Sequence, residues 1–184
     1  MIAGGGEVAL AKAGGLIPCG ARLTVVAPRL HAEFAVLAEQ AGLTLVERPF
    51  AERDLDGQSL VFAATGDPAL NRAIVAQAEA RGILANPVDD PGYGGFYSAA
   101  VVRRGPFVIA VGTEGQFPGL ASALREALDG WLPDALGDAA DRLSALRAAL
   151  RAAQLPAARK FRALGELRSW FTREYLTSQG TPTS

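Results

Sequence analysis

The chain has 184 residues, with 18 basic against 19 acidic side chains and a net charge of −1; this length suits one domain, or one domain with a small appendage, and a core that needs no disulfide or structural metal. The balanced charge excludes a general nucleic-acid footprint, which needs a strong basic excess. The single cysteine, Cys19, excludes a disulfide framework and any Cys-based zinc or iron–sulfur site, and it points to a reducing compartment. No apolar run approaches the roughly 18 residues of a membrane span. Met1-Ile2-Ala3-Gly4-Gly5-Gly6 lacks the basic-then-apolar pattern of a secretory signal. A soluble, cytoplasmic, globular protein is expected, with neither membrane nor nucleic acid as partner.

At the start, Gly4-Gly5-Gly6-Glu7-Val8-Ala9 fits the G-x-G-x-x-A pattern at the head of a helical stretch. The first glycine permits a tight strand-to-helix turn, and the second removes a Cβ so that a pyrophosphate can approach backbone N–H groups. The small third residue lets helix and strand pack closely. Only Met1-Ile2-Ala3 precede the turn, so either the true start lies upstream or the sheet begins with a truncated strand. Pro18 predicts a short first helix. Arg22–Ala27 is dense in β-formers and closes at Pro28. Apolar residues at Leu30, Phe34, Leu37, Ala38 and Ala41 form a helical stripe, which Gly42 is placed to end.

Leu43–Val46 and Leu60–Ala64 read as buried strands, Asp67–Ala80 as a helix ending at Gly82, and Ile83–Ala85 as a further strand. This alternation predicts βαβ units and a parallel sheet covered on both faces. The rhythm changes after Asn86. Pro91–Gly95 is a loop, and Phe96–Arg103 and Phe107–Val111 read as a hairpin joined at Arg104-Gly105-Pro106. Three helices then follow, Leu120–Trp131, Asp134–Gln154 and Ala158–Leu176, punctuated by Pro133 and Pro156. Residues 177–184 have tail composition. The expected architecture is α/β: a Rossmann-type parallel sheet with a truncated first strand over 1–90, a β-hairpin segment over 91–118, and a helical domain over 119–176.

The strand after the glycine turn ends in Val26-Ala27-Pro28-Arg29, without the carboxylate that usually holds a ribose 2′-OH. Backbone contacts could hold the ribose, or Arg29 could favour a 2′-phosphate, so NAD and NADP both stay open.

The stretches GGGEVALAKA, GARLTVVAP, LVFAATGDPALNRAI, NPVDDPGYGGFYSAAVVRRGPFVIAVGTEG and PGLASALREALDGWLP, in this order and spacing, resemble the precorrin-2 dehydrogenase family, which includes the N-terminal half of siroheme synthase. The resemblance runs from about Ile2 to about Arg151. It implies a homodimer in which the hairpin segment serves dimerisation, NAD as cofactor, and oxidation of precorrin-2 to sirohydrochlorin; some members also insert Fe²⁺ to give siroheme. Carried over by position, the cofactor contacts fall at Gly4, Gly6, Glu7, Val8, Pro28, Arg29, Thr65 and Asn86. The catalytic aspartate of an Asn-x-Val-Asp sequence falls at Asp89. Arg104, Thr113 and Arg125 are candidate substrate contacts for the substrate that the resemblance implies. The chain departs from the family at its short first strand and at Gly112-Thr113-Glu114-Gly115, where an extra carboxylate would face an acidic macrocycle.

Taken alone, Asp89-Asp90 before Pro91-Gly92 favours a plain turn. The resemblance favours a catalytic Asp89 instead, and the chemistry fits: loss of a hydride from carbon requires loss of a proton as well, and a nearby carboxylate serves as general base. Iron would be a substrate, because one carboxylate is a poor permanent iron site. Arg104 and Arg125 suit the macrocycle's carboxylates, although Arg104 could equally be a solvated hairpin residue and Arg125, beside Glu126, could lie on a solvated helix face. The lone His31 reads as a surface residue. Trp131 and Trp170 read as core or dimer contacts. A rival from another class is a non-enzymatic NAD-binding sensing module, which would bind cofactor without turnover.

Overall fold

The structure is a computed structural model that describes residues 1–88, 90 and 92–176, with the backbone alone at Pro118. The expected tail at 177–184 lies outside the described residues. The chain divides into two compact units, Met1–Ser98 and Ala99 onward.

The first unit carries five parallel strands, β1 (Ile2–Ala3), β2 (Thr24–Ala27), β3 (Thr44–Glu47), β4 (Leu60–Ala63) and β5 (Leu84–Pro87), in the order β3-β2-β1-β4-β5. β1 is only two residues long, yet it is central. Ile2 pairs with Val25 on one side and Phe62 on the other. The pleat then sends alternate side chains to opposite faces. Ile2, Val25 and Phe62 join Ala9 and Ala13 of α1 (Glu7–Leu16) and Phe34 of α2 (Glu33–Ala41). Ala3, Val26, Val61 and Ala63 join Ile74, Val75 and Ala78 of α3 (Pro68–Glu79). Both faces are therefore apolar, which explains why the strands read as continuous β-branched runs. Phe34 and Ile74 are fully buried, and each such side chain stabilises the unit by about 1.5–3 kcal/mol.

Element ends differ from the sequence expectation where long-range bonds intervene. α2 starts at Glu33 and not at Leu30, because the His31 N–H is drawn to the Gly5 carbonyl (2.8 Å) and His31 Nδ1 accepts from the Glu33 N–H (3.3 Å). Pro18 ends α1 as expected, within a 3₁₀ turn at Ile17–Cys19. The β3-to-β4 crossover carries a 3₁₀ turn, Glu52–Leu55, that the periodicity did not signal. Leu55 anchors it in the core, and Asp54 takes two Arg48 donors and the Ala51 N–H.

The second unit opens with an antiparallel pair, β6 (Ala100–Arg104) and β7 (Phe107–Val111). β6 starts four residues later than expected. Residues ahead of it belong to the first unit: the Gly95 N–H donates to Ala85 O (2.9 Å), and Phe96 sits edge-on to Phe62 at 5.4 Å. Helices α4 (Pro118–Trp131), α5 (Ala135–Ala152) and α6 (Ala157–Phe171) follow, α6 passing into a wider π-helical turn over Thr172–Leu176. Val102, Leu132 and Leu136 form the core of this unit. At the hairpin corner, a Cβ on Gly105 would come within 2.8 Å of the Gly137 Cα, so strand turn and helix meet backbone to backbone.

Candidate functional site

A cleft of about 1060 Å³ opens at the carboxyl ends of β1, β2 and β4. Strand order reverses between β1 and β4, which is where doubly wound sheets bind ligands. Gly4, Gly6, Glu7, Val8, Pro28, Arg29 and Thr65 all line this cleft, so seven of the residues expected to hold the cofactor are brought together. Asn86 is not among the lining residues. It is a buried residue of β5 itself, where its amide donates to the Phe96 carbonyl and holds that segment against the sheet.

The three glycines differ in what they do. Gly4 has φ +137°, and a Cβ there would lie 2.1 Å from Ala64 O. Gly5, which the motif treats as a free position, is as tightly confined: a Cβ would meet Arg29 O at 2.1 Å and Ala27 Cβ at 2.8 Å. Gly6 has no heavy atom within 4 Å of its Cβ position. The first two glycines let the turn pass between β2 and β4, and the third leaves open space at the helix start. Gly6 is the N-cap of α1 and offers no side-chain cap, so the first N–H groups and the positive end of the helix dipole remain available to an anion. A pyrophosphate fits this cradle.

The opposite wall is the turn after β4. Thr65 donates its N–H (3.0 Å) and hydroxyl (2.6 Å) to Asn71 Oδ1, and Asn71 Nδ2 returns a bond to Thr65 O (3.2 Å). Asp67 caps α3 by accepting from the Ala69 and Leu70 N–H groups. Asn71 is 2% exposed, and sequence reasoning did not single it out. The signal was present, because Asn71, Ile74, Val75 and Ala78 form one buried stripe on α3. A polar residue at such a position needs a partner.

At the α1 end of the cleft, Glu7 and His31 pair at 3.1 Å. Since Nδ1 of His31 accepts a backbone N–H, Nε2 carries the proton that is donated to Glu7. His31 thus has a structural part at the turn. Further along α1 the Lys12 ammonium lies 5.6 Å above the Phe62 ring, and burial pushes it below its usual pKa.

Asp89 lies outside the described residues, but its surroundings are described. The Val88 N–H donates to Ala63 O (3.0 Å), and Arg72 holds Asp90 Oδ2 through Nη2 (2.8 Å) and Nε (3.2 Å). In the second unit, Arg104 and Arg125 converge on one residue, with Arg104 Nη1 at 2.8 Å and Arg125 Nη1 at 3.8 Å from the two Asp129 oxygens. Arg125 also pairs with Glu126 at 2.9 Å. Thr113 Oγ1 accepts from the Phe117 N–H (3.3 Å), and the neighbouring Glu114 has φ +52°. Among the described residues, no group of three or more His, Cys, Asp or Glu side chains converges as a metal site. No described helix is long and apolar enough to cross a membrane.

The family described as "Putative NAD(P)-binding" matches residues 1–100, close to the end of the first unit. The chain belongs to this family. Siroheme synthase of Pseudomonas paraeruginosa (strain DSM 24068 / PA7) is 44% identical over 147 residues, which are 80% of this chain and 32% of that protein. Siroheme synthase of Citrobacter koseri (strain ATCC BAA-895 / CDC 4225-83 / SGSC4696) is 38% identical over 179 residues, 97% of this chain and 38% of that protein. The chain therefore spans about a third of the length of these curated relatives. The solved structure "SirC, precorrin-2 dehydrogenase" superposes with a TM-score of 0.78 at 25% identity, covering 97% of this chain and 88% of that one. These matches bear out the resemblance read from the sequence to the precorrin-2 dehydrogenase and siroheme synthase N-terminal family, and the α/β architecture with it.

Proposed function

We propose that the protein oxidises precorrin-2 to sirohydrochlorin, with NAD⁺ as hydride acceptor, as a step of siroheme biosynthesis in the cytoplasm. The observation that carries this reading is the cleft at the sheet's switch point, with its two confined glycines, its open third glycine and its uncapped helix start. The likeness to a structure titled as a precorrin-2 dehydrogenase over 97% of the chain supports the substrate class. A bound nicotinamide supplies the site that takes the hydride.

The chain's own residues do the remaining work. Gly4, Gly6, Glu7 and Val8 present the helix start to the pyrophosphate, Pro28 and Arg29 flank the ribose side, and the Thr65 turn closes the opposite wall. Asp89 takes the proton that must leave the macrocycle with the hydride. Arg104, Thr113 and Arg125 bind the substrate's acetate and propionate arms, which compete with Asp129 for the two guanidinium groups. A homodimer is part of the same reading. Phe117 at the N-cap of α4 and Leu120, Leu124 and Trp131 along it form an apolar stripe that is exposed in the single chain, and Val108 is exposed on β7. Such a stripe marks a partner surface.

Anaerobic absorbance with precorrin-2 and NAD⁺, run beside Asp89→Asn, tests this. NADH rising together with the sirohydrochlorin spectrum, and lost in the variant, is the expected result; Fe²⁺ added to the same cuvette then reads metal insertion. Folded protein that binds NAD⁺ but forms no NADH overturns the enzyme reading in favour of a sensing module.

A further inference from the structure

The first turns of α3 touch two things at once. Asn71, on the buried face, holds the Thr65 turn that walls the cofactor cleft. The next residue, Arg72, holds Asp90 through two N–H groups on one carboxylate oxygen. Together with Pro68 and Pro87 these residues line a hollow of about 320 Å³ beside the loop that follows β5.

That loop is tied on both sides of position 89. Val88 is bonded through its backbone to Ala63, the last residue of β4, and Asp90 is bonded to Arg72 and accepts the Tyr93 N–H through its carbonyl (3.1 Å). The two ties therefore hold the chain neighbours on either side of position 89. One tie is a backbone bond to the sheet, and the other is a side-chain ion pair to the helix that also sets the cofactor wall.

We infer that Arg72 is a positioning residue, which through Asp90 registers the loop carrying Asp89 against the Thr65 side of the cofactor cleft. This rests on the proposed role of Asp89 as the proton acceptor. Arg72 touches neither substrate nor cofactor in this account; it acts through Asp90. Its side chain is 63% exposed and that of Asp90 33%, so the pair adds little to global stability. Its effect is local: without it the loop spends less time with Asp90 held against α3. A partly exposed pair of about 1 kcal/mol corresponds to about a fivefold change in that population.

The test is steady-state kinetics of wild type, Asp89→Asn, Arg72→Gln, Arg72→Lys and the swap Arg72→Asp/Asp90→Arg, with hydrogen exchange at the Tyr93 amide. The expected result is a roughly fivefold lower kcat for Arg72→Gln with KM for NAD⁺ unchanged, faster Tyr93 exchange, and recovery of most of the loss in Arg72→Lys and in the swap. An Arg72→Gln enzyme with wild-type kcat overturns the inference while the Asp89 reading stands. A loss confined to KM for NAD⁺ overturns it too, as does a swap that recovers nothing. If wild type forms no NADH, or Asp89→Asn keeps full activity, the underlying reading fails instead.

Discussion

Replacing Gly5 by alanine puts a methyl carbon 2.1 Å from the Arg29 carbonyl oxygen and 2.8 Å from the Ala27 Cβ, more than 1 Å short of an ordinary contact to the oxygen. Neither neighbour is the end of a flexible side chain, so the β1–α1 turn must separate from the end of β2. That turn is stitched to β2 by Gly4 N–H to Val26 O (2.9 Å) and to the start of α2 by His31 N–H to Gly5 O (2.8 Å), and both bonds are strained by the same movement. Overpacking of this kind costs about 1–3 kcal/mol, and a weakened hydrogen bond adds about 1 kcal/mol. For a unit of this size a loss of about 3 kcal/mol lowers Tm by roughly 12–24 °C.

Gly6→Ala is the matched control. Its Cβ meets nothing within 4 Å and its φ is −89°, so Tm should move by no more than about 3 °C, the loss of a glycine N-cap being offset by the stiffer unfolded chain. The added methyl nevertheless enters the space expected for the pyrophosphate and should weaken NAD⁺ binding roughly 10- to 200-fold. Thermal unfolding by circular dichroism and NAD⁺ titration by fluorescence read both effects. A Gly5→Ala protein melting within about 3 °C of wild type refutes the steric argument, and Gly6→Ala with unchanged NAD⁺ affinity refutes the assignment of the cradle.

Asn71→Ala removes the acceptor for both Thr65 donors at a buried site. It should cost about 2–3 kcal/mol and weaken NAD⁺ binding; an unchanged denaturation midpoint with unchanged affinity would contradict this. The Arg48 guanidinium, bonded to Asp54 at 2.5 and 2.8 Å, holds that carboxyl below its ordinary range, helped by the Ala51 N–H and opposed by burial. The folded pKa lies below the unfolded one, so the stabilisation is fully present above the unfolded value and is lost as pH falls through the folded value. Urea midpoints should hold steady from neutral pH to about 5 and fall below about 4, with a shallower acid slope in Arg48→Gln; equal slopes in the two proteins would count against it.

Local pattern and long-range contact divide the legible from the illegible here. The order of strands and helices, the glycine turn, the end of α1 at Pro18 and the hairpin around Gly105 all follow from residues near one another in the chain, through periodicity and turn chemistry. Seven residues expected around a nucleotide do share one cleft, because the turns after β1, β2 and β4 all emerge at the same edge of a parallel sheet.

Which glycine is confined depends on β1 running between β2 and β4, and so on residues about 25 and 60 positions away. Periodicity has no access to that neighbourhood, and the motif alone left Gly5 as a free position. The same holds for Asn71 under the Thr65 turn and for Asn86 behind Phe96. It holds equally for Arg104, which meets Asp129 of α4 from 25 positions away. The sequence by itself determined the types of element and the chemistry they could carry, since those are local properties of the chain. The tertiary structure alone decided which polar groups meet, because a buried donor finds its partner across strands and turns that only the folded sheet brings together.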